Sequence, residues 1–254
     1  MKFLKIYRIE LADTLQSHWY HAWEKRKKGE KYLGVFPSST TILNAYPQSI
    51  QLMKWLADNG WNQSQLIKSE KGESGTRIHS ACDALEKGGT LRKADFGLEE
   101  WLKIKSFVDW YQTYKPKVIA SELAVFSKKG KYAGRLDRLY EIEGVITVLD
   151  FKSGGVYEHF PLQYASYAKA IEENTDVKVE QTATLKLGAD NKNGYRFIIY
   201  PDWRDHYKVF KHVRATWQYD YFDSKKNPKD PPVLDLPATL SLNMEEKKVE
   251  KLKK

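Results

Sequence analysis

The sequence predicts a mixed α/β (α+β) protein in which one mixed sheet carries helices on its faces. Three observations predict this class. Helical spacing of apolar residues dominates the first 114 residues, strand-like patterns begin near residue 118, and one helix then interrupts the strands. The chain has neither strict strand–helix alternation nor a Gly-rich phosphate loop, which argues against a dinucleotide-binding or P-loop fold.

The first third of the chain is predicted to be helical. Helices are expected over 11–28, ended by Gly29; over 50–58, closed by Asn59-Gly60; from Gly75 to Gly88-Gly89; and over 101–114, ended by Pro116. The Ser/Thr side chains of 37–41 are candidate caps for a further helix. Residues 1–74 are therefore expected to form an N-terminal helical region packed on the core.

A strand-rich segment follows. Strands are expected over 118–126, 132–142 and 145–152, then a helix from Pro161 to about Glu173, and a second hairpin over 177–187 and 195–200. Asp202 is a candidate cap for a last helix that places Phe210, Val213, Trp217 and Tyr221 on one face. Residues 75–223 are expected to form the core, and 224–254, with four prolines and a charged end, a linker and tail.

Composition favours an acidic partner. The chain has 42 Lys and Arg against 33 Asp and Glu, a formal charge of +9, which attracts a phosphate backbone, although many basic proteins carry such a charge only for solubility. Eight Trp and sixteen Tyr offer stacking surfaces. Without a secretory signal or an apolar run of about 18 residues, we expect an intracellular, cytoplasmic protein with no membrane partner.

The strongest chemical pattern is Asp150-Phe151-Lys152. Alternate strand residues share a face, so Asp150 and Lys152 project together while Leu149 and Phe151 enter the other layer. The following Ser153-Gly154-Gly155 allows a ligand to approach closely. An arbitrary Asp-x-Lys is most often an ion pair, so this pattern alone is weak.

A second carboxylate is expected beside the first. A hairpin turning at Glu143-Gly144 brings Asp137 opposite the neighbourhood of Asp150. Two such carboxylates repel unless a cation lies between them, and oxygen ligands suit Mg²⁺ or Mn²⁺. Glu122 either adds a third carboxylate or is a surface residue.

Other candidates are ambiguous taken singly. His79 lies beside the apolar stripe of its helix, where histidines are more often structural than ligands. Gln163 and Tyr167 are four residues apart, so they share a helix face and can donate hydrogen bonds to phosphate. His18 and His21 are interpreted as a solvated helix face, and Trp55 and Trp61 as either stacking or core residues.

Taken in order, these segments resemble a known family. Gly75-Thr76-Arg77-Ile78-His79, Gly134-Arg135-Leu136-Asp137, Asp150-Phe151-Lys152 and Gln163-Tyr164-Ala165-Ser166-Tyr167 resemble the four successive motifs of the RecB-type nucleases. These belong to the PD-(D/E)XK superfamily, with a restriction-endonuclease-like core. The likeness covers roughly Gly75 to Tyr200. The segment 37–41 also resembles a stretch ahead of the core in phage-borne members.

The resemblance implies a metal-dependent deoxyribonuclease, most often an exonuclease in DNA processing, recombination or repair. It implies that His79, Asp137, Asp150 and the backbone carbonyl of Phe151 hold one or two Mg²⁺ or Mn²⁺ ions. Lys152 and Glu122 join the carboxylates as catalytic candidates, Lys152 orienting water or stabilising charge. DNA-binding candidates are Gln163, Tyr167 and Arg135.

The chain departs from part of that family. Several relatives bind an iron–sulfur cluster through four cysteines, whereas this chain has only Cys82, so we expect no such cluster. DNA is the expected partner, with a recombination or replication protein as a further one. A non-catalytic or partner-dependent nucleic-acid-binding protein and a restriction-type endonuclease remain alternatives, and strand polarity is left open.

Overall fold

The computed structural model describes residues 7–15 and 17–223, together with 233, 234, 236, 237 and 239. Its elements are, in chain order, β1 (Tyr7–Leu11), β2 (Trp19–Arg26), β3 (Gly29–Pro37), α1 (Ser39–Leu43), α2 (Ile50–Asn59), α3 (Trp61–Glu86), α4 (Leu98–Tyr114), β4 (Lys117–Ser127), β5 (Tyr132–Ile142), β6 (Val145–Lys152), α5 (Phe160–Asn174), β7 (Gln181–Leu187), β8 (Tyr195–Tyr200) and α6 (Trp203–Gln218). A 3₁₀ turn, Lys93–Asp95, and a π-helical turn, Tyr219–Asp223, complete them.

The chain begins with a three-stranded antiparallel sheet in the order β1-β2-β3. The helix predicted over 11–28 is therefore wrong. Tyr20 and Ala22 of β2 pack in one apolar cluster with Phe126 and Ala133, a strand-like period of two. Gly29 has a φ of +90°, which suits the tight turn into β3. Because this segment forms a strand, the interpretation of His18 and His21 as one helical turn apart is wrong as well.

The caps predicted for the next segment are confirmed. Ser38 is the N-cap of α1, and its hydroxyl accepts a 2.9 Å hydrogen bond from the backbone N–H of Thr41. Ser49 caps α2 in the same way through the N–H of Leu52, at 3.2 Å.

Helix α3 is longer than the sequence predicts. It begins at Trp61, directly after Gly60, and continues for 26 residues through the position where Gly75 was expected to start it. Gly60 has a φ of +69°, and this left-handed residue separates α2 from α3. The domain boundary expected between 74 and 75 falls inside this continuous helix.

A five-stranded sheet forms the core in the order β4-β5-β6-β7-β8. Among the strands of the described residues, β6 and β7 alone pair in parallel, and α5 is the crossover that joins them. The predicted mixed α+β sheet is confirmed. Strand β7 starts at Gln181 rather than at 177.

Helices cover both faces of this sheet. Buried residues of α1, α5 and α6 pack with Val148 and Leu136 on one face. Those of α3 and α4 pack with Leu149 and Phe151 on the other. In α6, Phe210, Val213 and Trp217 are buried as predicted. Asp202 holds the N-cap position, but its side chain makes no capping hydrogen bond.

Within the described part of the chain, no helix combines the length and the apolar character needed to cross a membrane. The predicted linker and charged tail lie mostly outside the described residues.

Candidate metal centre and its cleft

Strand pairing brings the two predicted aspartates together. Arg138 of β5 pairs with Leu149 of β6, so continuing the antiparallel register places Asp137 opposite Asp150. The backbone N–H of Phe151 donates a 2.9 Å hydrogen bond to Oδ2 of Asp137. The predicted juxtaposition of the two carboxylates is confirmed.

Asp150 and Lys152 share the α5 face of β6, as the strand period predicts. The Lys152 ammonium forms an ion pair with Oδ2 of Asp150 and lies 4.4 Å from the centroid of the Phe160 ring. Asp150 is only 4% exposed, and its Oδ2 accepts no hydrogen bond of regular geometry from the residues described. The charge partner of this buried oxygen is the Lys152 ammonium.

His79 reaches the same place from α3. Its Nδ1 lies 3.4 Å from Oδ2 of Asp137, and its ring packs edge-on against Phe151 with the centroids 5.6 Å apart. Burial lowers the pKa of His79, and the cations Lys152 and Arg138 lower it further. A neutral imidazole is the form that binds metal ions.

Glu122 of β4 completes a group of three. One ligand atom each from His79, Glu122 and Asp137 lie within 4.8 Å of one another. Glu122 has a φ of +49° inside a strand, a conformation that L-residues rarely adopt. This backbone turns its half-exposed side chain toward the site rather than leaving it in the regular alternation of β4.

Charge repulsion at this group is strong. Burial, followed by the nearby Asp150, raises the pKa of Asp137 well above its usual range. Burial likewise raises the pKa of Glu122. A divalent cation would remove this repulsion, and imidazole with two carboxylates is a donor set suited to Mg²⁺ or Mn²⁺. The residues present therefore fit a divalent ion.

The predicted metal ligands and the observed group share His79 and Asp137 but differ in their other members. Glu122 belongs to the group, whereas Asp150 lies behind it, beside Lys152. Phe151 contacts both residues, since its N–H donates to Asp137 and its ring packs against the ring of His79.

A buried ionic network supports the site, and the sequence reasoning missed it. Arg138, 1% exposed, pairs with Glu86 at 2.6 Å and donates a 2.8 Å hydrogen bond to the backbone carbonyl of Asp137. It also lies 3.5 Å from Asp83 and 3.6 Å from Glu122. Two features of the sequence could have indicated this network: an arginine in an apolar strand, and acidic residues on the helix that carries His79.

The predicted DNA-contacting residues differ in exposure. Gln163 and Tyr167 are buried, and the Gln163 amide donates a 2.7 Å hydrogen bond to the Tyr167 hydroxyl. A Cβ on Gly134 would lie 2.4 Å from the Tyr167 ring, so only glycine permits this close packing. Arg135 is exposed on β5.

An open cleft of about 680 Å³ lies in front of the site. His79, Glu122, Asp137 and Lys152 line it. The Ser153-Gly154-Gly155 turn adds to the lining, as do Lys68, Lys71, Gly72, Gly75 and Thr76 of α3. Small side chains on α3 thus keep the approach to the carboxylates open.

Comparison with known proteins adds little. The chain matches no family model, and no curated protein sequence matches it. Among solved structures, it is similar to the crystal structure of an alkaline exonuclease (LHK-Exo) from Laribacter hongkongensis, with 9% identity and a TM-score of 0.30, covering 72% of this chain and 89% of that chain. Similarity at that level carries no argument about activity, which must rest on the site.

Proposed function

We propose that the protein is a metal-dependent deoxyribonuclease that hydrolyses phosphodiester bonds, most consistent with an exonuclease of DNA processing, recombination or repair. The observation that carries the proposal is the group formed by His79, Glu122 and Asp137, with Lys152 beside it in an open cleft. Bound there, a divalent cation would lower the pKa of water and offset the charge of the scissile phosphate.

His79, Glu122 and Asp137 would hold the ion. Asp150 is proposed as a further ligand because it lies opposite Asp137 in the strand register. The backbone carbonyl of Phe151 is proposed as another, because the N–H of the same residue donates a hydrogen bond to Asp137. The roles of both as ligands follow from the family resemblance rather than from a distance.

Lys152 acts as a cation in this proposal. Burial works to lower its pKa, but the carboxylates of Asp150 and Asp137 outweigh burial and raise it. The ammonium would therefore orient the attacking water through a donated hydrogen bond and stabilise negative charge that develops on phosphate oxygens. The Asp150 carboxylate and the Phe160 ring fix its position.

DNA is the proposed substrate because the chain is basic and the cleft carries Lys68 and Lys71 on one wall. Arg135 is proposed as a phosphate contact since its side chain is exposed on the strand of Asp137. Gln163 and Tyr167, buried together, would act by fixing Gly134 and the start of that strand. A recombination or replication protein is proposed as a partner.

The deciding experiment is a cleavage assay. End-labelled linear single- and double-stranded DNA and closed circular DNA are incubated with the protein in Mg²⁺, Mn²⁺ or EDTA. We expect metal-dependent loss of the linear molecules, with the label giving the polarity. Cutting of the circle would instead identify an endonuclease.

Lys152→Ala provides the matched variant. We expect it to reduce kcat by about 100-fold or more, a loss typical of removing one electrostatic stabiliser. Lys178→Ala is the control, because Lys178 is exposed and precedes β7, at the opposite end of the parallel β6–β7 pair from Lys152. Equal cleavage by the two variants, or no cleavage in any metal, would contradict the proposal.

A further inference from the structure

A groove continues from the cleft toward the start of α2. Lys68 and Tyr157 line both the cleft and this extension, which has a volume of about 780 Å³. The groove runs between α3 on one side and the 153–159 segment on the other. Its far walls are Tyr46, Ser49 and His159, and a side branch is lined by Trp55 and Lys71.

Aromatic rings form one wall of the groove. Tyr157 is 43% exposed, and its ring is parallel to that of His159, with an interplanar angle of 2° and centroids 5.9 Å apart. The Tyr46 ring lies 6.0 Å from the His159 ring, measured between centroids. Exposed aromatic faces in a groove provide stacking surfaces for bases of any sequence.

The opposite wall is positively charged. Lys68 and Lys71 are three residues apart, so they share a face of α3. Both are exposed, and within the described part of the chain neither has an acidic group at ion-pair distance. Glu158 lines the extension, and the cleft is lined by Asp83, which pairs with Lys87 and Arg138, and by Glu122 and Asp137 of the metal centre. Phosphates would therefore be held on α3.

We propose that this groove binds a single unpaired strand of DNA, with bases on Tyr157 and His159 and phosphates on Lys68 and Lys71. The bases of a duplex are stacked on their neighbours and expose only their edges, whereas unpaired bases can stack on aromatic rings. The groove leads directly to Lys152 and Asp137, so the bound strand is the one presented for hydrolysis. This assignment of substrate class rests on the proposed nuclease function.

Binding is measured without catalysis. Fluorescence anisotropy in EDTA compares a labelled oligothymidylate of about 16 nucleotides with a blunt duplex of the same length. We expect tighter binding of the single strand. Tyr157→Ala should weaken single-strand binding about tenfold, the size of one lost base stack, and leave duplex binding unchanged. Tyr157→Phe, which keeps the ring, should bind like the unsubstituted protein.

Tyr32→Ala is the matched control. Tyr32 is 49% exposed, close to the exposure of Tyr157, but it lies on the N-terminal three-stranded sheet. We expect no change in its affinity. Equal losses for Tyr32→Ala and Tyr157→Ala, or no loss for Tyr157→Ala, would overturn the stacking assignment.

The lysines are tested by salt dependence. Over about 50 to 200 mM salt, Lys68→Ala and Lys71→Ala should each reduce the slope of log K against log salt concentration by about 0.7, the value for one single-strand phosphate contact. Lys178→Ala should leave the slope unchanged. Unchanged slopes for both α3 variants would place the phosphates elsewhere and overturn the assignment.

The two proposals fail separately. If the protein cleaves DNA in a metal-dependent way and Tyr157→Ala binds single strands unchanged, the single-strand assignment is wrong and the nuclease proposal stands. If Tyr157→Ala loses single-strand binding but the protein cleaves no DNA in any metal, the groove is supported as a strand-binding site and the nuclease proposal is wrong.

Discussion

Asp137, a proposed metal ligand, destabilises the folded protein when its carboxyl is charged. Its carboxyl is buried and held near Asp150, and the raised pKa records the cost of its negative charge in the folded protein. In the unfolded chain the same carboxyl loses its proton near pH 4. The folded state therefore loses stability as the pH rises from about 4 through the raised pKa, since the unfolded state releases the proton first.

Asp137→Asn should accordingly stabilise the protein in EDTA. At pH 8 we expect a gain on the order of 1 kcal/mol, or about 2–4 °C in Tm, because the amide oxygen still accepts the Phe151 hydrogen bond without a charge. The difference should shrink as the pH approaches 4. Thermal unfolding followed by circular dichroism measures both trends.

In Mn²⁺, we expect the unsubstituted protein to have a higher Tm than Asp137→Asn, the reverse of the order in EDTA. Binding to the folded state raises the Tm of the unsubstituted protein with metal concentration, whereas Asp137→Asn should respond weakly. A lower Tm for Asp137→Asn in EDTA at pH 8 would mean that this carboxylate is stabilising rather than strained.

Individual site residues were predictable where a local rule fixes their direction. The strand period and the hairpin turn place Asp150, Lys152 and Asp137 together, and the structure agrees. Arg138 was not predictable in this way. It directly follows Asp137, and its partners Glu86 and Asp83 come from a helix more than fifty residues earlier, so only tertiary packing makes the network.

Among the elements, the start of β5 depends on one close approach. The Gly134 backbone contacts the Tyr167 ring of α5, and Tyr167 is held by Gln163. Because β5 continues to Asp137, this contact sets where the strand lies relative to α5.

Gly134→Ala should therefore be destabilising. A Cβ 2.4 Å from the ring of a buried tyrosine must displace it, and overpacking of this kind costs about 1–3 kcal/mol. Urea denaturation measures the loss. Gly154→Ala is the control, since a Cβ there meets nothing within 4 Å. Equal free energies of unfolding for the two variants would show that the ring moves away without cost.

Two elements departed from the sequence prediction for physical reasons. In β2, aromatic residues occupy both faces, which obscures the alternation of apolar and polar residues expected of a strand. The Trp, Lys and Glu content of the segment then resembled that of a helix. In α3, Gly75 suggested a helix start, but it lies within the helix where it borders the cleft. The five core strands were predicted because their turns carry clear signals.

At the scale of the whole molecule, the N-terminal third is part of one structure with the core. Trp19, Ile42 and Leu43 lie in the same buried cluster as α5 and α6. The Ser166 hydroxyl of α5 donates a 2.7 Å hydrogen bond to that of Ser39. Such long-range contacts leave no local pattern, which is why the sequence predicted a region packed on the core without naming the residues that join it.

A chain that starts at residue 75 should not fold. It would lack those buried residues and would cut α3 within its length, exposing the apolar surface around Phe126 and Ala133. We expect an insoluble product or one without a cooperative thermal transition, measured by circular dichroism. A soluble, cooperatively unfolding fragment would show that residues 1–74 are dispensable for the core.

The distance along the chain between His79 and Asp137 has a further consequence. These residues belong to opposite ends of a long segment that includes α4 and β4, yet their side chains lie 3.4 Å apart. An ion held by both would act as a reversible crosslink, closing a large loop in the way that a disulfide does. Occupancy of the site would then anchor α3 to the sheet, so the same ion would join catalysis to the rigidity of the cleft wall.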